Sequence, residues 1–269
     1  MHEFVIFDNQ MLNRSQPRIV AASSAALYGK GVFTTCSIYD SRPFRWDKHW
    51  SRLERNAVTI GLDISMFNAG SVREKLGELI DANSLSEGRA RVTLFDESSS
   101  PLWPSGANGR TSLLIATSDQ RPVPSNLRLT ISPHRVNSTS PLAGVKSCNY
   151  LENILALEEA RRRGFDEAIR LNERGEIVSA CMANIFWLLG GRLYTPGLST
   201  GCIPGTTREY VIENVRCTEV CEQIENLRAA EVIFLTSAGL GILAVSVFEG
   251  RELPVTTHPI LDLAARLRG

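Results

Sequence analysis

Between Gly144 and Trp187 the chain reads GVKSCNYLENILALEEARRRGFDEAIRLNERGEIVSACMANIFW. Lys146 stands on a short strand-like stretch, and an amphipathic helix is expected from Asn149 to Arg163, with Gly164 placed to end it. Two strand–turn–strand patterns follow, with turns at Arg174-Gly175 and Gly190-Gly191. This order of elements predicts an α+β architecture rather than a doubly wound parallel sheet.

The N-terminal part fits the same class. Phe4 to Phe7 is a short apolar strand, and Val32–Tyr39 and Arg42–Trp46 read as two strands across an Asp40-Ser41 turn. Asp47 can cap a helix whose apolar face is Trp50, Leu53, Ala57 and Ile60. A second helix carries Val72, Leu76, Leu79 and Ile80, and strands are expected at Arg89–Phe95 and Ser112–Thr117. The Ser98–Gly109 segment is a polar Gly/Pro/Ser-rich loop with Trp103 in its middle, a composition common in functional loops. SDQRPVPS, residues 118–125, has two prolines and no apolar periodicity, as a linker would. It divides a small α+β domain, residues 1–117, from a larger strand-rich domain, residues 126–269.

Composition narrows the function. Lys+Arg 29 balance Asp+Glu 29, which argues against nucleic acid or an anionic membrane as the main partner. Cys36, Cys148, Cys181, Cys202, Cys217 and Cys221 have no metal-ligand spacing, and Cys217 and Cys221 suit one helix face. They read as reduced thiols of a cytoplasmic protein, with no metal site. MHEFVIFDNQ lacks a signal-peptide pattern. Val232 to Phe248 carries no charge, but its Thr236, Ser237, Gly239 and Gly241 fit two buried strands joined by a glycine loop, not a membrane span.

By local sequence alone, Lys146 between Val145 and Ser147 is either a surface lysine at a strand end or a desolvated amine of lowered pKa. Gly205-Thr206-Thr207-Arg208-Glu209 has capping-box spacing before Val211, Ile212 and Val215. It is an ordinary capped helix or an anion site of backbone N–H donors. Arg52 falls off the apolar face of its helix, so it is a solvated side chain or a cation for a phosphate. Arg89 and Arg91 project from one strand face, toward solvent or toward a dianion.

The Lys146 segment, the NIFW and LYTP strands, the PGTTR turn and HWSRL resemble the class IV pyridoxal-phosphate enzymes. That family comprises branched-chain and D-amino-acid aminotransferases and aminodeoxychorismate lyase. The resemblance implies pyridoxal 5'-phosphate (PLP) as cofactor, Lys146 as Schiff-base lysine and general base, and two α+β domains with the site in the cleft between them. It implies that Arg52 grips the phosphate with the Gly205, Thr206 and Thr207 turn and with Thr236-Ser237. It also implies a homodimer acting on a small-molecule amino substrate.

The family carries a glutamate for the pyridine nitrogen five residues before the N-I-F motif; here that position is Ser179. Strand alternation turns Glu176 to the other face, so only a bulge or a register slip would let it substitute. A serine does not stabilise a pyridinium by charge. YGKGVFTT and SACMANIFW are most similar to the lyase branch. That branch acts on 4-amino-4-deoxychorismate, releasing pyruvate and 4-aminobenzoate, and Tyr28, Lys30, Arg89 and Arg91 are the candidate substrate residues. An aminotransferase for a branched-chain or D-amino acid is the alternative. A relative with lost catalysis is a third reading.

Overall fold

The computed structural model describes residues 1–98 and 109–266. Most of the Ser98–Gly109 loop, including Trp103, therefore lies outside the described residues. The chain forms two compact units, Met1–Arg121 with Val145–Asn149, and Pro122–Gly144 with Tyr150–Gly269.

The first unit holds β1 (Phe4–Phe7), β2 (Gln10–Asn13), α1 (Ser24–Tyr28), β3 (Gly31–Tyr39), β4 (Arg42–Pro43), α2 (Trp46–Thr59), α3 (Ala69–Ala82), β5 (Gly88–Asp96) and β6 (Thr111–Ser118). Its sheet runs β2-β1-β6-β5-β3-β4, with each measured pair antiparallel. Alternation along the strands sends Val32, Cys36 and Ile38 of β3 and Ala90, Val92 and Leu94 of β5 into one core with Leu53, Leu76 and Leu79 of the helices. Those leucines are fully buried, so truncating one to alanine costs about 2–5 kcal/mol. The opposite face of the sheet carries Phe33, Arg89 and Arg91.

Two local expectations change here. The strand after the Asp40-Ser41 turn stops at Pro43, and Trp46 opens α2 instead of closing the strand. The residue before that helix is Arg45, at φ 51, so Asp47 lies within the first turn and is not the cap. There its charge still complements the helix dipole.

The second unit holds β7 (Arg128–Ile131), α4 (Leu151–Arg162), β8 (Glu167–Leu171), β9 (Ile177–Ala180), β10 (Asn184–Leu189), β11 (Arg192–Pro196), α5 (Thr206–Asn214), β12 (Cys217–Val220), α6 (Ile224–Arg228), β13 (Val232–Ser237), β14 (Gly241–Ala244), β15 (Val247–Phe248), β16 (Arg251–Glu252) and α7 (Asp262–Arg266). Two sheets, β12-β11-β10-β13-β14 and β16-β15-β7-β8-β9, share a core that includes Ile169, Leu171, Ile185, Trp187, Ile233 and Leu235. The uncharged run after Glu231 is the antiparallel pair β13–β14 followed by β15, and no described helix is long and apolar enough to cross a membrane. Cys217 and Cys221 do not share a helix: Cys217 opens β12, and Cys221 follows it. All six cysteines are free, and no metal-binding cluster occurs among the described residues.

Candidate active site

Lys146 belongs to the first unit, although its place in the chain puts it after the linker. β4 pairs with β3 only at Ile38 and Tyr39, which leaves the other end of that β3 edge open. The Lys146–Cys148 segment fills it. Phe33 N–H donates to Lys146 O at 3.0 Å, Cys148 N–H donates to Gly31 O at 2.8 Å, and Val32 bridges Ser147. A side chain at Gly31 would meet the Phe95 Cβ at 2.8 Å and the Cys148 Sγ at 3.0 Å, so this close approach requires glycine.

The Lys146 ammonium nitrogen lies 4.2 Å from the Phe33 ring centroid. The Arg91 guanidinium stacks on the same ring at 3.6 Å. Burial, then the charges of Arg52 and Arg91, hold the Lys146 pKa well below that of a free lysine. Neutral amine is therefore present under conditions where an exposed lysine would be protonated.

Arg52 is buried, 4% exposed, and is not a solvated side chain. His49, Arg52 and Asn56 recur at helical spacing as a buried polar stripe beside the apolar one. Arg52 Nη2 donates to Thr34 Oγ1 at 2.7 Å, and that hydroxyl lies 2.6 Å from His49 Nδ1. Thr34 thus accepts from Arg52 and shares a further hydrogen bond with His49 Nδ1, tying the two side chains to one hydroxyl. Burial and the neighbouring cations Arg52, Arg45 and Lys146 hold the His49 pKa well below its ordinary value. Sequence reasoning missed Phe33, Thr34 and His49 as site residues. The His49–Arg52 spacing was the available signal, because polar residues three apart on a helix face the same way.

The other candidates in this unit have their own partners. Lys30 pairs with Asp96 at 3.0 Å. Burial would raise the Asp96 pKa, but hydrogen bonds from Ser98 and Lys30 hold it below the usual carboxylate range. Arg89 Nε donates to Ser118 Oγ at 2.9 Å, beside the charges of Asp119 and Arg121. Thus Arg91 gathers with Lys146, while Arg89 is engaged at the far end of β5. Tyr28 ends α1 and is partly exposed.

In the second unit, α5 starts at Thr206 with Gly205 as its N-cap residue, so Thr206 is not the cap of a capping box. Gly205 has no side chain to cap the first-turn N–H groups, which suits an anion. A methyl group on Gly205 would overlap Asn184 Oδ1, and Asn184 Nδ2 donates to Ile203 O at 2.9 Å. Asn184 thus fixes the approach to the helix. Thr206 and Thr207 are buried. Thr236 pairs with Asn184 across β10–β13, and β13 packs on α5. Thr236 Oγ1 is buried without a hydrogen-bond partner, as a donor awaiting a ligand would be. Ser237 Oγ instead accepts from Leu240 N–H at 3.2 Å in its own turn.

Ser179 is half-buried on β9. The β8–β9 pair is irregular after Arg170, with Leu171 opposite Ile177, so a bulge does exist. It does not bring Glu176 into service. The Glu176 carboxylate accepts from Asn172 at 2.7 Å and from Arg174 at 2.7 Å, and these bonds keep it ionised. The segment after Ser179 is held by Glu167, a buried carboxylate that sequence reasoning overlooked. It accepts from the N–H groups of Ala168, Cys181 and Met182 at 3.1, 2.9 and 3.2 Å.

A depressed lysine amine, a buried arginine, a helix N-terminus and a buried free hydroxyl are the groups that a phosphorylated aldehyde cofactor needs. A family model for class IV aminotransferases matches residues 31–248. The chain belongs to the class IV aminotransferase family. Enzymes of this family depend on PLP. The chain is 29% identical to the aminodeoxychorismate lyase of Bacillus subtilis, over 83% of this chain and 79% of that one. It is 27% identical to the branched-chain-amino-acid aminotransferase of Escherichia coli K12, over 94% and 89% of the two chains. The branched-chain aminotransferase of Thermoproteus uzoniensis, solved with norvaline, superposes with a TM-score of 0.92 at 27% identity, covering 100% of this chain and 94% of that one. This class IV chain therefore has the fold of its relatives.

Proposed function

We propose that this class IV enzyme is a 4-amino-4-deoxychorismate lyase, acting in the cytoplasm as a homodimer. The observation that carries the reading is the likeness of YGKGVFTT and SACMANIFW to the lyase branch. Ser179, where the family carries a carboxylate, weighs further against transamination, and Glu176 is engaged elsewhere. Transamination leans on a stabilised carbanion, whereas this elimination is driven by the aromaticity of its product. The likeness to the Bacillus subtilis lyase supports the same branch.

In this reading Lys146, Arg52, Thr236 and the α5 N-terminus are the cofactor-binding groups. Lys146 would hold PLP in the resting protein, and once the substrate amine had taken the place of Lys146 the cofactor would supply an electron sink conjugated to the substrate nitrogen. Arg52, held by Thr34, binds phosphate oxygens through two coplanar N–H groups. Thr236 and the N–H groups after Gly205 complete that grip. Arg91, stacked on Phe33, offers a fixed cation to a substrate carboxylate. The released Lys146 Nζ, kept neutral by burial, would remove the proton from the ring carbon that bears the substrate nitrogen. The ring C–O bond to the enolpyruvyl group would break as the ring becomes aromatic, and the departing enolpyruvate would take up a proton to become pyruvate.

The α4 residues Leu151, Ile154 and Leu155 form an exposed apolar stripe at helical spacing, which supports the dimer. Six unpaired cysteines accord with a reducing compartment.

The likeness to the Escherichia coli and Thermoproteus uzoniensis enzymes favours a second reading, an aminotransferase for a branched-chain or D-amino acid. Product analysis separates the two. The PLP-loaded protein is expected to release 4-aminobenzoate and pyruvate from 4-amino-4-deoxychorismate. Keto-acid formation from a panel of D- and L-amino acids, without aromatic product, would overturn the first choice. Inactivity on every substrate tested would favour a relative with lost catalysis.

A further inference from the structure

The face of the β8–β9 pair that carries Ser179 also carries a buried cation. Arg170 stands directly opposite Ser179 in the antiparallel register. Residues opposite each other in such a pair project to the same side. The preceding pair, Ile169 and Ala180, points into the core of the second unit. Arg170 and Ser179 therefore share the other side, where Ala168 and Cys181 pack with α4.

Arg170 is 3% exposed, and its guanidinium is held from several directions. Nη2 donates to Arg135 O at 2.8 Å and to Glu152 at 3.3 Å, Nη1 to Asn153 Oδ1 at 3.3 Å, and Nε to His134 O at 3.4 Å. The carboxylate in that set, Glu152, has a side chain 77% exposed, so water screens its charge. Glu167 is committed to the backbone N–H groups of Ala168, Cys181 and Met182, and Glu176 to Arg174 and Asn172. The Cys181 thiol is kept protonated by burial and by Glu167. The Ser179 hydroxyl makes no hydrogen bond to another described residue.

We infer that the Arg170–Ser179 pair holds bound PLP with its ring nitrogen unprotonated. The inference rests on the reading that Ser179 faces that nitrogen. A pyridinium there would face a like charge, which disfavours the protonated form. A neutral pyridine nitrogen instead offers a lone pair that the free serine hydroxyl can donate to. The site is thereby suited to a reaction whose driving force lies in the product.

The test is nitrogen NMR of the full-length protein loaded with PLP labelled with ¹⁵N in the ring. Formation of the visible PLP–lysine band establishes loading first. The expected wild-type resonance lies in the unprotonated-pyridine range and stays there across neutral pH. Ser179→Ala is expected to leave it there, because Arg170 remains. Ser179→Glu is expected to move it to the protonated range. A protonated nitrogen in the loaded wild type would overturn this inference while leaving the cofactor assignment intact. Failure to form the band would overturn both. If Ser179→Glu does not fold, the wild-type resonance decides alone.

Discussion

Lys146 shows how burial turns an ordinary side chain into a reactive one. Its folded pKa lies below the value near 10.4 expected of an unfolded lysine. Between those two values the unfolded chain binds the extra proton. The stability of the cofactor-free protein therefore rises with pH through that window and does not change on this account below it. The same shift sets reactivity. The pH profile of PLP uptake should have its midpoint below that of a free lysine, and Arg52→Met should move it upward by removing a nearby cation. A wild-type midpoint at the free-lysine value would contradict the argument. Thr34 makes a separate prediction. Thr34→Val removes the hydroxyl shared by Arg52 and His49, and should cost about 1–3 kcal/mol of unfolding free energy in denaturant titrations. It should also weaken PLP binding, because Arg52 loses its orientation.

At the scale of elements, the proposed anion site at the α5 N-terminus and β13 carries a cost to the empty protein. Thr236 carries a buried hydroxyl with no partner. Thr236→Val keeps the shape and removes that group. The cofactor-free variant should be as stable as the parent, or up to about 1–3 kcal/mol more stable in thermal or denaturant unfolding. Its PLP affinity should fall about tenfold or more, as expected for loss of a hydrogen bond to a charged group. Equal affinity for the two proteins would remove Thr236 from the phosphate site. The elements themselves were largely legible in the sequence. Apolar periodicity marked α2, α3 and the β13–β14 pair, and glycines marked the turns at Gly175 and Gly190-Gly191. The misreadings share a cause: local pattern does not report which group packs alongside. Arg52 lies off the apolar stripe of α2, yet it is buried and donates to Thr34 on β3. Thr206 has the spacing of a cap, but the chain enters α5 one residue earlier, at Gly205, because Asn184 holds that approach.

At the scale of the whole molecule, Lys146 is assigned by a pairing that no local pattern encodes. The Val145–Asn149 segment completes the open edge of β3 and so joins the first unit, far from its neighbours in sequence. Family resemblance identified the lysine, but the Phe33 ring and the Arg52 and Arg91 charges around it required the fold. The α4 stripe belongs to this scale too. A Leu151→Glu, Leu155→Glu double variant should shift the protein from dimer toward monomer in sedimentation velocity. An unchanged dimer would remove that stripe from the interface. The most direct measurement of the central claim, that Lys146 holds the cofactor, is borohydride reduction of the PLP-loaded protein followed by peptide mass spectrometry. The account predicts one stable phosphopyridoxyl adduct, on the peptide containing Lys146, and none in Lys146→Ala. An adduct on another lysine, or an unlabelled Lys146 in a fully loaded sample, would contradict it.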